Sequence, residues 1–137
     1  MHSFEILPHT ADLRLKISGD SPEELFRAAV IGMGSVIKRD ACDAGKINKK
    51  KNVSLRSADR TALLVDFLSE VLTASQTDKI VFCDASFEKL TETELIGEIK
   101  GTTVDEFDED IKAVTYHEAD VQKNERGQWE TVIIFDI

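Results

Sequence analysis

The sequence predicts a single α+β domain over residues 1–137, in which two helices cover one face of a mixed, mostly antiparallel sheet. Three observations carry this. The strand-like segments are grouped rather than alternating with helices. Two stretches, Leu25 to Ile37 and Leu63 to Leu72, keep helical spacing. The chain closes on a segment that reads as a hairpin ending in a fully buried strand.

In order, Phe4-Glu5-Ile6 is a short strand, and Asp12 to Ser18 alternates polar and apolar residues, the mark of a half-buried strand. Gly19-Asp20 turns the chain. Ser21-Pro22-Glu23-Glu24 starts a helix: Ser21 caps, Pro22 fits the first turn and Glu24 completes a capping box. Leu25, Phe26, Ala29, Val30, Met33, Val36 and Ile37 follow on one helical stripe. Gly32 and Gly34 weaken that helix by about 1 kcal/mol each relative to Ala, and would let another element approach closely. Asp40 to Asn48 is a polar loop, and Val53 with Leu55 marks a short strand. Ser57 is placed to cap a second helix with Leu63, Leu64, Phe67, Leu68, Val71 and Leu72 on its buried face, leaving Asp66 and Glu70 solvated. Strands follow at Ile80 to Phe87 and at Leu95 to Lys100. An acidic loop comes next, and then a final hairpin pairs Lys112 to Val121 with Gln128 to Asp136.

Composition narrows the function classes. A net charge of −9 is unsuited to gripping a phosphate backbone, which calls for clustered Lys and Arg. The lysine run at Lys49, Lys50 and Lys51 reads as the guard of an edge strand. No apolar run approaches the roughly 20 residues a membrane span needs, and the N-terminus does not read as a secretory leader. Cys42 and Cys83 fit no metal-ligand spacing, so the expectation is a cytoplasmic protein with two free thiols. There is no Gly-x-Ser-x-Gly, no phosphate-cradling glycine loop and no Cys/His cluster. Asp105 to Asp110 is not a calcium loop: the sixth position holds Asp110 rather than Gly, and the twelfth holds Tyr116 rather than Glu.

One acidic constellation remains. The run Val132-Ile133-Ile134-Phe135 reads as a strand buried on both faces, and it stops at Asp136 and Ile137. If it neighbours the strand that Asp12 opens, Asp12, Asp136 and the terminal carboxylate of Ile137 meet. Like charges gathered in this way are costly unless a cation or protons neutralise them, so the expectation is a hard-metal site built of oxygens. Three residues are auxiliary candidates. His9 precedes Asp12 in a turn. His117 ends the segment Lys112-Ala113-Val114-Thr115-Tyr116-His117. Lys112 is placed near Asp136 by the antiparallel hairpin, which carries His117 away toward Glu130 and Thr131. Arg14 brings a basic group close to Asp12, where it competes for the carboxylate.

Pro8-His9-Thr10-Ala11-Asp12, Lys112 to His117 and the closing Val132 to Ile137, in this order, resemble the archease family along the whole chain. The resemblance implies an accessory factor, not itself an enzyme, that serves the RtcB-type RNA ligase in tRNA splicing. Such a factor promotes the ligase's guanylylation and turnover in exon joining. It also implies a divalent cation, calcium before magnesium or manganese, on Asp12, Asp136 and a main-chain oxygen of Ile137. The implied partner is the ligase protein, without tight nucleic-acid binding and without a membrane. Two other readings stand beside it: a metal-dependent hydrolase using Asp12, Asp136 and His117, and a general chaperone of RNA-processing enzymes.

Overall fold

A computed structural model describes residues 1–7, 12–44 and 46–137. The element order is β1 (His2–Leu7), β2 (Asp12–Gly19), α1 (Pro22–Ile37), α2 (Ala41–Ala44), β3 (Lys49–Arg56), α3 (Arg60–Asp78), β4 (Ile80–Leu90), β5 (Glu94–Thr103), β6 (Ala113–Thr115), β7 (Gln122–Lys123) and β8 (Trp129–Asp136). The α+β class is as expected. The strands divide between two sheets, one ordered β1-β2-β8-β6 with β7 also on β8, the other β3-β5-β4. Every pairing among the described residues is antiparallel. No described helix is long and apolar enough to cross a membrane.

Helix α1 begins as the capping signature dictates. The Ser21 hydroxyl accepts from the Glu24 amide at 3.1 Å, and Pro22 occupies the first turn. Its glycines are where two layers close on it. A Cβ on Gly32 would lie 2.8 Å from Leu15 Cδ2 in β2, and one on Gly34 would lie 2.6 Å from the Phe82 carbonyl oxygen in β4. Two residues apart, the glycines lie on nearly opposite sides of one turn, so their missing side chains let α1 touch one sheet on one side and the other sheet on the other. Phe26 of α1, Phe67 of α3 and Phe87 of β4 pack with centroids 5.7–6.1 Å apart and tie α3 into the same core.

Several local expectations are corrected. Asp59, not Ser57, caps α3: its side chain accepts from the Ala62 amide at 2.8 Å. Ser57 instead donates to Asp66 at 2.6 Å, and the Tyr116 hydroxyl donates to the same carboxylate. Asp66 is therefore a bonded residue rather than a solvated one. The loop at 40–48 contains the short helix α2. Cys42 and Cys83 are not free thiols; they form a disulfide that pins α2 to β4, with Cα atoms 5.6 Å apart. Cys83 stands at a bulge, where the register of β4 on β5 slips between Phe82 and Asp84. The acidic loop is held at Asp108, whose amide donates to the Ile37 carbonyl at 2.7 Å and whose carboxylate pairs with Lys38. The lysines of β3 do lie on a sheet edge, and Lys49, Lys50 and Lys51 are all exposed.

Candidate cation site

Alternation builds β2, and apolar content builds β8. Leu13, Leu15 and Ile17 face the core, so Asp12, Arg14 and Lys16 face the other way. Ile133 and Phe135 belong to the core; Ile134, although 3% exposed, does not, so β8 sends alternate residues outward as well. The register then joins the two aspartates: Asp12 is the direct cross-strand partner of Asp136, with Leu13 opposite Phe135 and Arg14 opposite Ile134. On the other side of β8, Ala113 is opposite Asp136 and Thr115 opposite Ile134. One row therefore reads Asp12, Asp136, Ala113 across three strands. The next outward row reads Arg14, Ile134, Thr115. Directly opposed residues have Cβ atoms about 4.5–5.5 Å apart, close enough for two carboxylates to share one ion. Asp12 is half-buried, Asp136 is exposed and Ile137 is half-buried.

The surrounding charges matter as much as the pair. Neither aspartate side chain forms an ion pair or hydrogen bond with another described residue. Arg14, the basic group expected to compete for Asp12, is taken elsewhere: its Nη2 donates to Glu118 Oε1 at 2.8 Å. Its Nε is buried without a partner among the described residues. Lys112 lies at the Asp136 end of the hairpin as expected, but through its backbone. Its amide donates to the Asp136 carbonyl at 2.7 Å, while its exposed ammonium makes no ion pair with a described residue.

His117 does not share a strand with Ala113 and Thr115. β6 ends at Thr115, and His117 lies exposed in the following turn. The turn is closed by the Ala119 amide donating to the Tyr116 carbonyl at 3.1 Å, with Glu118 in the left-handed region at φ 62°. The Asp120 and Val121 amides then bond the hydroxyls of Thr131 and Thr61, and the backbone ladder with β8 resumes at β7. His9 lies outside the described residues. Glu118 is the residue that sequence reading missed. Its one sequence signal is a carboxylate just beyond a strand that ends beside an acidic pair, which is too common to single out.

The donor set suits a hard divalent cation: two carboxylates in register, a main-chain oxygen beside them and no soft ligand. Among the described residues, no three His, Cys, Asp or Glu side chains gather as a metal cluster. The side chains alone therefore supply two ligands, and the rest of a coordination shell would come from main-chain oxygens, water or a partner's phosphates.

The comparisons with known proteins agree with this arrangement of strands. The profile of the Archease protein family matches residues 4–137. The chain is 35% identical to the protein archease of Methanosarcina acetivorans, over 98% of this chain and 95% of that one. It is 34% identical to the protein archease of Pyrococcus abyssi over the full length of both. The solution structure of Methanobacterium thermoautotrophicum protein 1598 superposes with a TM-score of 0.81 at 26% identity, covering 98% of each chain. The crystal structure of an archease from Thermotoga maritima, described there as a possible chaperone, shares the fold at a TM-score of 0.63 and 19% identity, over 96% and 94% of the two chains. With a capped helix between two antiparallel sheets, two aspartates in register and a family match from Phe4 to the last residue, this chain belongs to the archease family.

Proposed function

We propose that this protein activates an RtcB-type RNA ligase, promoting the ligase's guanylylation and repeated turnover in tRNA exon joining. It would do so by docking on the ligase and presenting a divalent cation held by Asp12, Asp136 and Ile137. The observation that carries the reading is the direct pairing of Asp12 with Asp136 at one end of the outward face. A divalent ion supplies charge neutralisation to phosphates undergoing transfer. The protein's part is to hold the two carboxylates in register on adjacent strands. The net charge of −9 supports docking on the basic surroundings of an RNA enzyme's active site rather than on RNA itself. A tight complex of this protein alone with tRNA exons, steeply salt-dependent, would count against it.

The test is single-turnover guanylylation of an RtcB-type ligase with and without this protein, in calcium, magnesium or manganese. Faster guanylylation is expected, and an unchanged rate at saturating protein would overturn the reading. The chaperone reading calls for a broad exposed apolar patch. The exposed large apolar residues among those described are four, Met1, Ile6, Ile47 and Tyr116, drawn from three segments of the chain and too few for such a patch. The hydrolase reading calls for a pocket around Asp12, Asp136 and His117. A cleft of about 570 Å³ on this face is lined by Ser3, Lys16, Asn124 and Glu130 among others, and by none of those three.

A further inference from the structure

We propose that Glu118 is a positioning residue for the cation site: it engages the Arg14 guanidinium and so keeps that cation off Asp12 and Asp136. This deepens the cation reading above and rests on it.

Arg14 and Asp12 sit two residues apart on β2, on the same face, about 6.6 Å along the strand. Asp136 is on the diagonal from Arg14, because Arg14 pairs with Ile134 and Asp136 lies two residues further along β8. Both carboxylates are within reach of an arginine side chain. The groups nearest Arg14 in register offer it nothing ionic: Leu7 on β1, Ile134 on β8 and, beyond Ile134, Thr115 on β6. Three carboxylates lie two places away in the pleat, Asp12, Asp136 and Glu5. Glu5 stands directly opposite Lys16, which leaves the two aspartates as the carboxylates without a basic cross-strand partner among the described residues.

Arg14 binds Glu118 instead. The turn after β6 delivers that carboxylate, and the left-handed backbone at Glu118 is part of the turn. In the sheet order β2-β8-β6, Glu118 comes from the β6 side and meets Arg14 on β2, so the pair spans β8. The engagement is one-sided. One terminal nitrogen is bonded, while the buried Nε has no partner among the described residues. A guanidinium with a donor still unspent takes a second carboxylate readily. Glu118 thus decides whether Arg14 faces away from the aspartates or neutralises them in place of a metal ion.

The experiment is calorimetric titration of calcium chloride into the wild-type protein and into Glu118→Gln, Arg14→Gln, the double variant and Asp12→Asn. Glu118→Gln should weaken calcium binding about tenfold, the scale of a unit charge acting on a divalent ion a few ångströms away. Arg14→Gln should bind at least as tightly as wild type, and the double variant should return to the Arg14→Gln value. Such coupling is the signature of one residue acting through another. Loss of binding in Asp12→Asn with no change in Glu118→Gln overturns the positioning role and leaves the cation site standing. A loss in Glu118→Gln that Arg14→Gln does not repair marks a purely structural role and also overturns it. Calcium binding that Asp12→Asn leaves unchanged overturns the cation reading itself, and this inference with it.

Discussion

Asp12 and Asp136 are direct cross-strand partners in an antiparallel pair, although almost the whole chain separates them in sequence. Like charges placed opposite one another destabilise a sheet. The fold tolerates that cost at the mouth of its first sheet, where the proposed cation would relieve it.

Replacing either aspartate should therefore separate function from stability. Asp12→Ala and Asp136→Ala are expected to abolish activation of the ligase while the melting temperature holds or rises, since removing one carboxylate relieves repulsion. Guanylylation assays read the first effect and thermal melts the second. Full activation by both variants at saturating concentration would show that the pair has no part in the activity.

Gly34→Ala should destabilise the protein although it raises helix propensity. The new Cβ would lie 2.6 Å from the Phe82 carbonyl oxygen, a backbone atom that cannot swing aside. Propensity favours Ala by about 1 kcal/mol, while forcing helix and strand apart costs about 1–3 kcal/mol. Urea unfolding should give a net loss of stability; a gain would mean that α1 and β4 separate freely.

Reducing the Cys42–Cys83 bridge should cost about 2–4 kcal/mol, the usual contribution of a crosslink closing a loop of this order. Melts with and without a dithiol reductant, set beside a Cys42→Ser/Cys83→Ser variant, measure it. Identical melts in all three conditions would remove the bridge from the account of stability.

Acid should weaken the fold through Asp84. Burial raises the pKa of this carboxyl, but hydrogen bonds from Arg27 and the Ala85 amide, with the arginine's charge, outweigh burial and leave it lowered. Glu94 is lowered in the same sense by Lys89 and Arg56. A carboxylate whose folded pKa is depressed contributes stability above its unfolded value, about 3.9 for Asp and 4.3 for Glu, and loses it as pH falls through the folded value. Urea midpoints should be flat from neutral pH to about 5 and fall below about 4, and Asp84→Asn should make that fall shallower. At this degree of exposure the pair is worth about 1 kcal/mol or less. An equal fall in the variant would assign the acid loss to other groups.

How much of this was legible in the sequence depends on the range of the interaction. Ser21-Pro22 through Glu24 specified the start of α1, because a cap is satisfied within three residues. The alternation of Leu13, Leu15 and Ile17 and the apolar run before Asp136 marked β2 and β8 as strands, while their pairing entered only as a condition that the register then meets. Other features depend on distant partners. Cys42 meets Cys83 across 41 residues of sequence, at the slip between Phe82 and Asp84 in β4. His117 lies in a turn outside the hairpin ladder, and the amides that follow it bond the hydroxyls of Thr131 and of the distant Thr61. Glu118 finds Arg14 across β8. None of these leaves a local pattern.

Strand β8 is the last element in the chain, yet it lies inside the first sheet, between β2 on one side and β6 and β7 on the other. The second sheet is different, since β4 and β5 are joined by a short turn and can pair early. Closing β2 on β8 is among the longest-range events available to this chain, and such contacts form late. Until they do, β2 has an open edge and the two aspartates are strangers. The acidic pair is therefore a product of completed folding: a partially assembled molecule could hold its helices and second sheet and still lack the paired aspartates.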